Sequence, residues 1–203
     1  YGLHFMFSHN DNYKDNVFNN NGSGVSVMFS HGVNMLGNTF ERNRGGSSYG
    51  ILMKEITDSR AEGNHFVNNT CGIYMEGTTR ITVVKNAFES NGWAMKIQAS
   101  CSDNTVTGNN FRGNTFDIAT NGSLVLSRFS NNYWDKYEGY DLNRDGIGDI
   151  PYRPVSLYSM IAERNPTTMM LFRSFIVSLL DKAEKMIPGM TPVDLKDDTP
   201  LMK

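Results

Sequence analysis

The sequence predicts an all-β fold: a right-handed single-stranded parallel β-helix, a solenoid of about six coils, followed by an α-helical C-terminal tail. Three observations predict it. The element Asn-x-Phe-x-x-Asn recurs with a nearly constant period, a short alternating strand stands at the same place in each period, and the repeat stops at Trp134 before helical spacing takes over.

The repeat begins as Asn16-Val17-Phe18 with Asn21. It returns at Asn38-Thr39-Phe40 with Asn43, Asn64-His65-Phe66 with Asn69, Asn86-Ala87-Phe88 with Asn91 and Asn109-Asn110-Phe111 with Asn114. It closes on Asn131-Asn132-Tyr133-Trp134, with leading Asn residues 22, 26, 22, 23 and 22 apart. Stacked Phe rings fill a core at this spacing, and Asn amides at turns form ladders from coil to coil.

A second anchor, a small residue about fourteen positions before each leading Asn, gives the same register: Gly2, Gly24, Gly50, Gly72, Ala94 and Asp117. The next residue is Leu3, Val25, Ile51, Ile73, Met95 or Ile118, and two further on stands Phe5, Val27, Met53, Met75, Ile97 or Thr120. Side chains alternate along a strand, so these columns face inward. The intervening columns, His4, Ser26, Leu52, Tyr74, Lys96 and Ala119, then Met6, Met28, Lys54, Glu76, Gln98 and Asn121, face outward. Leucine-rich repeats share the period but need an L-x-x-L-x-L frame, which is missing.

The coils occupy residues 1–134, and residues 135–203 form an Asp/Gly-rich loop, an amphipathic helix and a tail. The loop, Asp141-Leu142-Asn143-Arg144-Asp145-Gly146-Ile147-Gly148-Asp149, places oxygen donors as a calcium loop does: Asp141, Asn143, Asp145, the Ile147 carbonyl and Asp149, with Gly146 at the sharp turn. Position twelve is Tyr152 rather than Glu, so the site is short of one carboxylate. The plainer reading is a connecting turn whose carboxylates accept backbone N–H groups.

From Pro166 to Ile187, apolar residues including Met169, Phe172, Phe175, Ile176, Leu179 and Leu180 follow the i, i+3, i+4, i+7 template. One helix is expected there, stopped by Pro188-Gly189. It either caps the open last coil or offers Phe172, Phe175, Ile176 and Leu179 as a docking surface.

Composition narrows the function. With 19 basic and 21 acidic residues and a net charge of −2, the chain has no footprint for nucleic acid. The most apolar run, Met169 to Leu180, is too short to span a bilayer and is broken by Arg173. The opening Tyr1-Gly2-Leu3 falls in mid-pattern, without an initiator Met or a signal sequence, and reads as a fragment or processed product. Cys71 and Cys101 lie too far apart around successive coils to pair, so buried free thiols are expected.

The segments Asn132-Tyr133-Trp134-Asp135, Tyr140-Asp141 with Asp149-Ile150-Pro151-Tyr152-Arg153-Pro154-Val155-Ser156-Leu157, Glu163-Arg164-Asn165-Pro166 and the closing Pro200-Leu201-Met202-Lys203 resemble the NosD family. That resemblance implies a periplasmic, non-enzymatic accessory protein. It would assist copper-site assembly of nitrous oxide reductase with an ABC transporter, whose membrane subunit is NosY and whose ATPase is NosF, and would handle copper.

Soft thioether and imidazole donors suit copper, and the tetrad Met-Phe-Ser-His occurs one coil apart as Met6-Phe7-Ser8-His9 and Met28-Phe29-Ser30-His31. Met6, Met28, His9 and His31 are the candidate ligands, with His4 on the same face and Met35 near His31. Met53, Met75 and Met95 fall in inward columns as core filler.

Two other functions compete. β-Helices also host carbohydrate-active enzymes and carbohydrate-binding proteins, but the outward columns carry only Lys54, Glu76 and Lys96, which read as a solvated charge ladder. The third reading is a structural solenoid without a ligand.

Overall fold

The computed structural model describes residues 1–122, 126–171, 174–187 and 195–202. Among these, the coils form three parallel sheets of six strands each. The first sheet runs Leu3–Met6, Val25–His31, Tyr49–Thr57, Cys71–Glu76, Trp93–Ile97 and Phe116–Ala119. The second starts at Asn12–Lys14 and ends at Leu126–Ser130; the third starts at Val17–Asn19 and ends at Tyr133–Trp134. The expected parallel β-solenoid is therefore present, with three short strands per coil rather than one.

The register follows the two sequence anchors. Leu3 pairs with Val25, Val25 with Ile51, Ile51 with Ile73, Ile73 with Met95 and Met95 with Ile118. From Val25 onward this column is fully buried. The Phe column stacks at 5.1, 4.9, 4.8 and 4.9 Å from Phe18 to Phe111, close to the inter-strand spacing, and Trp134 continues it at 4.1 Å.

The glycine anchors have a steric cause. A Cβ on Gly50 would lie 2.6 Å from the Gly72 carbonyl oxygen, and one on Gly72 2.5 Å from that of Ala94. Only the smallest residues fit while another coil stacks above.

Two Asn ladders run the length of the coils. Asn16, Asn38, Asn64, Asn86 and Asn109 each donate backbone N–H and side-chain Nδ2 to the next Asn Oδ1, and Asn109 donates both to Asn132. The second ladder links Asn21, Asn43, Asn69, Asn91 and Asn114. The repeat thus closes on Asn132 and not Asn131. Every ladder Asn follows a left-handed residue (Asp15, Gly37, Gly63, Lys85 and Gly108 in the first ladder), and Asn131, φ 53°, fills that turn position.

The Asn-to-Asn bonds are directional, each donated toward the next C-terminal coil, while Nδ2 also reaches back to a carbonyl of the preceding coil, as Asn64 does to Met35 and Asn132 to Val106. The ladder's last member needs an acceptor that brings no donor of its own, and a carboxylate meets that need. Asp197 Oδ2 accepts from Asn132 N–H at 3.1 Å, Asn132 Nδ2 at 2.9 Å and Trp134 Nε1 at 3.1 Å. The strap carrying it, residues 195–202, bridges Phe129 through Asp197 and Tyr133 through Leu201, and so covers the last coil as a further rung would.

The expected single capping helix is therefore corrected. The tail forms α1 (Leu157–Arg164), a 3-10 helix (Pro166–Leu171) and α2 (Phe175–Met186). Ser156 and Asn165 cap the two ends of α1, and the stretch from Pro166 to Ile187 expected as one helix is divided into the 3-10 helix and α2, which Ser174 starts as its N-cap. These helices pack on the outer face of the first sheet, where Tyr158, Ala162 and Val177 bury Cys71, Trp93, Phe116 and Ala119. The outward positions Ala119 and Cys71 are buried for that reason. The charge ladder is corrected likewise: Lys54 and Glu76 pair at 2.9 Å, but Lys96 turns to Glu163 of α1 at 2.5 Å and covers Trp93. Pro188 and Gly189, the expected helix stop, lie outside the described residues.

Candidate functional site

The first two coils bring the Met-Phe-Ser-His tetrads into register. Met6 pairs with Met28 on adjacent strands, and both lie on the outer face, Met6 being 40% exposed. His9 and His31 stack with ring centroids 4.0 Å apart and planes 6° from parallel. Between the two rows, Phe7 (φ 55°) and Phe29 (φ 51°) turn the chain through left-handed backbone, and their exposed rings stack at 5.3 Å. His4 is exposed on the Met6 face, beside the Tyr1 ring at 5.1 Å.

The donor set is chemically suited to copper: two thioethers one rung apart, then two imidazoles one rung apart. Its geometry is that of two rows flanking a corner. Stacked imidazoles send their in-plane lone pairs out in parallel, and His9 Nδ1 accepts the His31 N–H at 3.3 Å, so ligation through that nitrogen requires giving up the bond. Met35 does not join them. It points into the core, fully buried, between Tyr13 and Ala61 of neighbouring coils. Met53, Met75 and Met95 are core residues as expected.

Among the described residues no three His, Cys, Asp or Glu side chains converge on one metal position. Both cysteines are free and buried, and burial pushes the Cys71 thiol up to about 12, which keeps it protonated and a poor metal ligand.

The Asp/Gly-rich loop is tied together by its own oxygens. Asp141 accepts from the N–H groups of Arg144, Asp145 and Gly146, Asp145 from Ile147, and Asp149 from Leu142 at 2.7 Å. Asn143 Nδ2 donates to Asp145 at 2.9 Å, and Arg144 (φ 60°) and Gly146 (φ 85°) make the turn. The carboxylates are thus gathered on one exposed loop and oriented by backbone amides.

On α2, Val177 packs inward while Phe175 (80% exposed), Ile176 and Leu179 (55% exposed) face away from the coils. Met170, Leu171, Met186 and Ile187 extend the apolar surface. Phe172 lies outside the described residues.

Sequence reading alone did not mark a cleft of about 890 Å³ between the last coil, the connecting segment and the helices. Asp117 lines it, buried, with Oδ2 3.3 Å from Lys136 Nζ and 3.5 Å from the Tyr152 hydroxyl. Burial pushes the Asp117 carboxyl up, against the pull of Lys136, and burial also raises the Tyr152 phenol well above its ordinary value. The one available signal was Asp117 standing in a column otherwise made of Gly and Ala.

Fold and surface together define a parallel β-solenoid whose outer faces present like residues in rows, with a helical appendage on one flank. Residues 1–144 match the family described as "Periplasmic copper-binding protein (NosD)", and the chain belongs to the NosD family. That family is periplasmic, and so is this chain; no helix among the described residues is long and apolar enough to cross a membrane. "Probable ABC transporter binding protein NosD" of Stutzerimonas stutzeri is 30% identical over 179 residues, covering 77% of this chain and 40% of that protein. The protein of the same name from Pseudomonas aeruginosa is 27% identical over 177 residues, again covering 77% and 40%. The chain thus spans about 40% of the length of the curated relatives it matches.

Proposed function

We propose that this chain is part of a non-enzymatic accessory factor that assists copper-site assembly of nitrous oxide reductase together with an ABC transporter, through its membrane subunit NosY and ATPase NosF. The observation that carries the reading is the family match over residues 1–144, which spans the coils displaying the paired thioethers and imidazoles. Met6, Met28, His9 and His31 handle copper in this reading, with His4 beside them. Thioethers favour Cu(I), and the exposed rows suit transient hand-over better than permanent storage. Asp141, Asn143, Asp145, Asp149 and the Ile147 carbonyl hold calcium, which stiffens the junction between coils and helices. The apolar outer face of α2, with Phe175, Ile176 and Leu179, docks on the transporter.

The test is the metal content of the client. Nitrous oxide reductase purified from cells deprived of the full-length protein is expected to lack copper and to regain it on complementation. Copper-replete reductase from the deprived cells overturns the reading.

A further inference from the structure

The cleft at the end of the coils breaks a rule that the coils themselves obey. Gly24, Gly50, Gly72 and Ala94 hold one column because the next strand passes too close for a larger residue. The strand Phe116–Ala119 is the last of its sheet, so a side chain fits at Asp117. Fitting is not a reason for charge. A carboxylate that is only 2% exposed is costly, and among the described residues its Oδ1 has no hydrogen-bond partner. The ammonium beside it is already engaged, since Lys136 Nζ donates to the carbonyls of Asn114 at 2.8 Å and Thr115 at 3.2 Å.

From this we infer that the cleft is a binding site for a neutral, hydroxyl-bearing ring, a sugar or cyclic polyol, with Asp117 as the acceptor at its floor. Charge argues against an ionic ligand: among the described residues the cleft walls carry Asp117, Glu138 and Glu184 against Lys136, Arg153 and Lys196, three of each sign, so they give neither an anion nor a cation a one-signed lining. Hydroxyls can donate to the carboxylate and accept from the Tyr152 phenol, whose contact with Asp117 Oδ2 is long at 3.5 Å. Phe116, Tyr137, Tyr152 and Tyr158 supply aromatic walls for the apolar face of such a ring, and about 890 Å³ is within the range of small-molecule sites. The inference stands apart from the copper reading, because it uses none of the thioether or imidazole residues.

The repeat supplies the decisive variant. Asp117→Ala restores a residue the column already accepts at Ala94 and removes a buried charge, so folding is expected to hold or improve. Since the folded carboxyl is raised, the stability gained is present at neutral pH and fades as pH falls through the raised folded value toward the unfolded one. Glucose, galactose, N-acetylglucosamine and myo-inositol are titrated into the full-length protein at millimolar concentration and followed by amide chemical shifts, with glutamate and sulfate as charged probes. Saturable shifts around Asp117 and Tyr152 with at least one neutral probe are expected, weakened about tenfold in Asp117→Ala and less in Tyr152→Phe, the scale of one hydrogen bond to a charged group. Three results overturn the inference: no saturation with any neutral probe, tighter binding of a charged probe, or a less stable Asp117→Ala that binds sugar unchanged.

Discussion

At the first two coils, individual residues depart from what a plain solenoid surface would carry. Met6 and Met28 leave thioethers on the outer face. Phe7 and Phe29 adopt left-handed backbone, as Glu55 (φ 52°) and Gly77 (φ 62°) do at the same turn of the next two coils, so the turn belongs to the solenoid and only the side chains it carries are particular to the tetrads. If the thioethers take up Cu(I), replacing both Met6 and Met28 with Leu preserves volume and apolarity while removing the soft donors. The double variant is expected to melt as the parent does but to lose at least about tenfold in competition with a Cu(I) chelator, one lost ligand's worth. Uptake by the parent weakens as acid is added, because imidazole binds metal only as the neutral ring. Equal competition by both proteins places any copper role elsewhere.

Two elements beyond the coils have distinct duties, and each exposes itself to a test. The strap ends the Asn ladder with Asp197, whose Oδ1 also accepts from the Thr199 N–H at 3.1 Å while its own N–H is taken by the Tyr152 carbonyl at 2.8 Å. Asp197→Ala strips the acceptor from three buried donors at once, so a loss of about 3 kcal/mol or more is expected on denaturant unfolding. Asp197→Asn keeps one oxygen and costs less. Unchanged midpoints in both would show that the strap merely lies on the coil. The Asp141 loop is judged by thermal melting: millimolar calcium raises Tm if Asp141, Asn143, Asp145 and Asp149 bind the ion, and Asp141→Ala abolishes the rise. A Tm indifferent to calcium leaves a connecting turn held by its own Asx hydrogen bonds.

For the molecule as a whole, the appendage has one side committed to the coils and one side left exposed. Its inner side is committed, with Tyr158, Ala162 and Val177 over the first sheet and Glu163 clasping Lys96. Its outer side is apolar and uncovered at Phe175 and Leu179. Both side chains are largely exposed, so replacing them with Ser should change stability by no more than about 0.5 kcal/mol. Co-purification of the full-length protein with the transporter's membrane subunit is expected to fall sharply in that variant. Retention equal to the parent would move the docking surface away from α2.

The coils were legible in the sequence because their rule is local and repeated: a glycine where the next strand passes close, alternating core residues, a Phe, and an Asn after each left-handed turn. Each coil solves the same packing problem, so one solution is written six times and its period shows. The stacked Met and His rows were legible for the same reason, as was the burial of both thiols. What ends the solenoid was not. The Asn132–Asp197 contact joins residues 65 apart with no repeat to announce it. The break of the tail into α1 and α2, their place on the first sheet rather than over the open end, and the cleft around Asp117 arise from single contacts between distant segments. Periodicity reports interactions that recur, whereas these occur once, and only the tertiary structure could decide them.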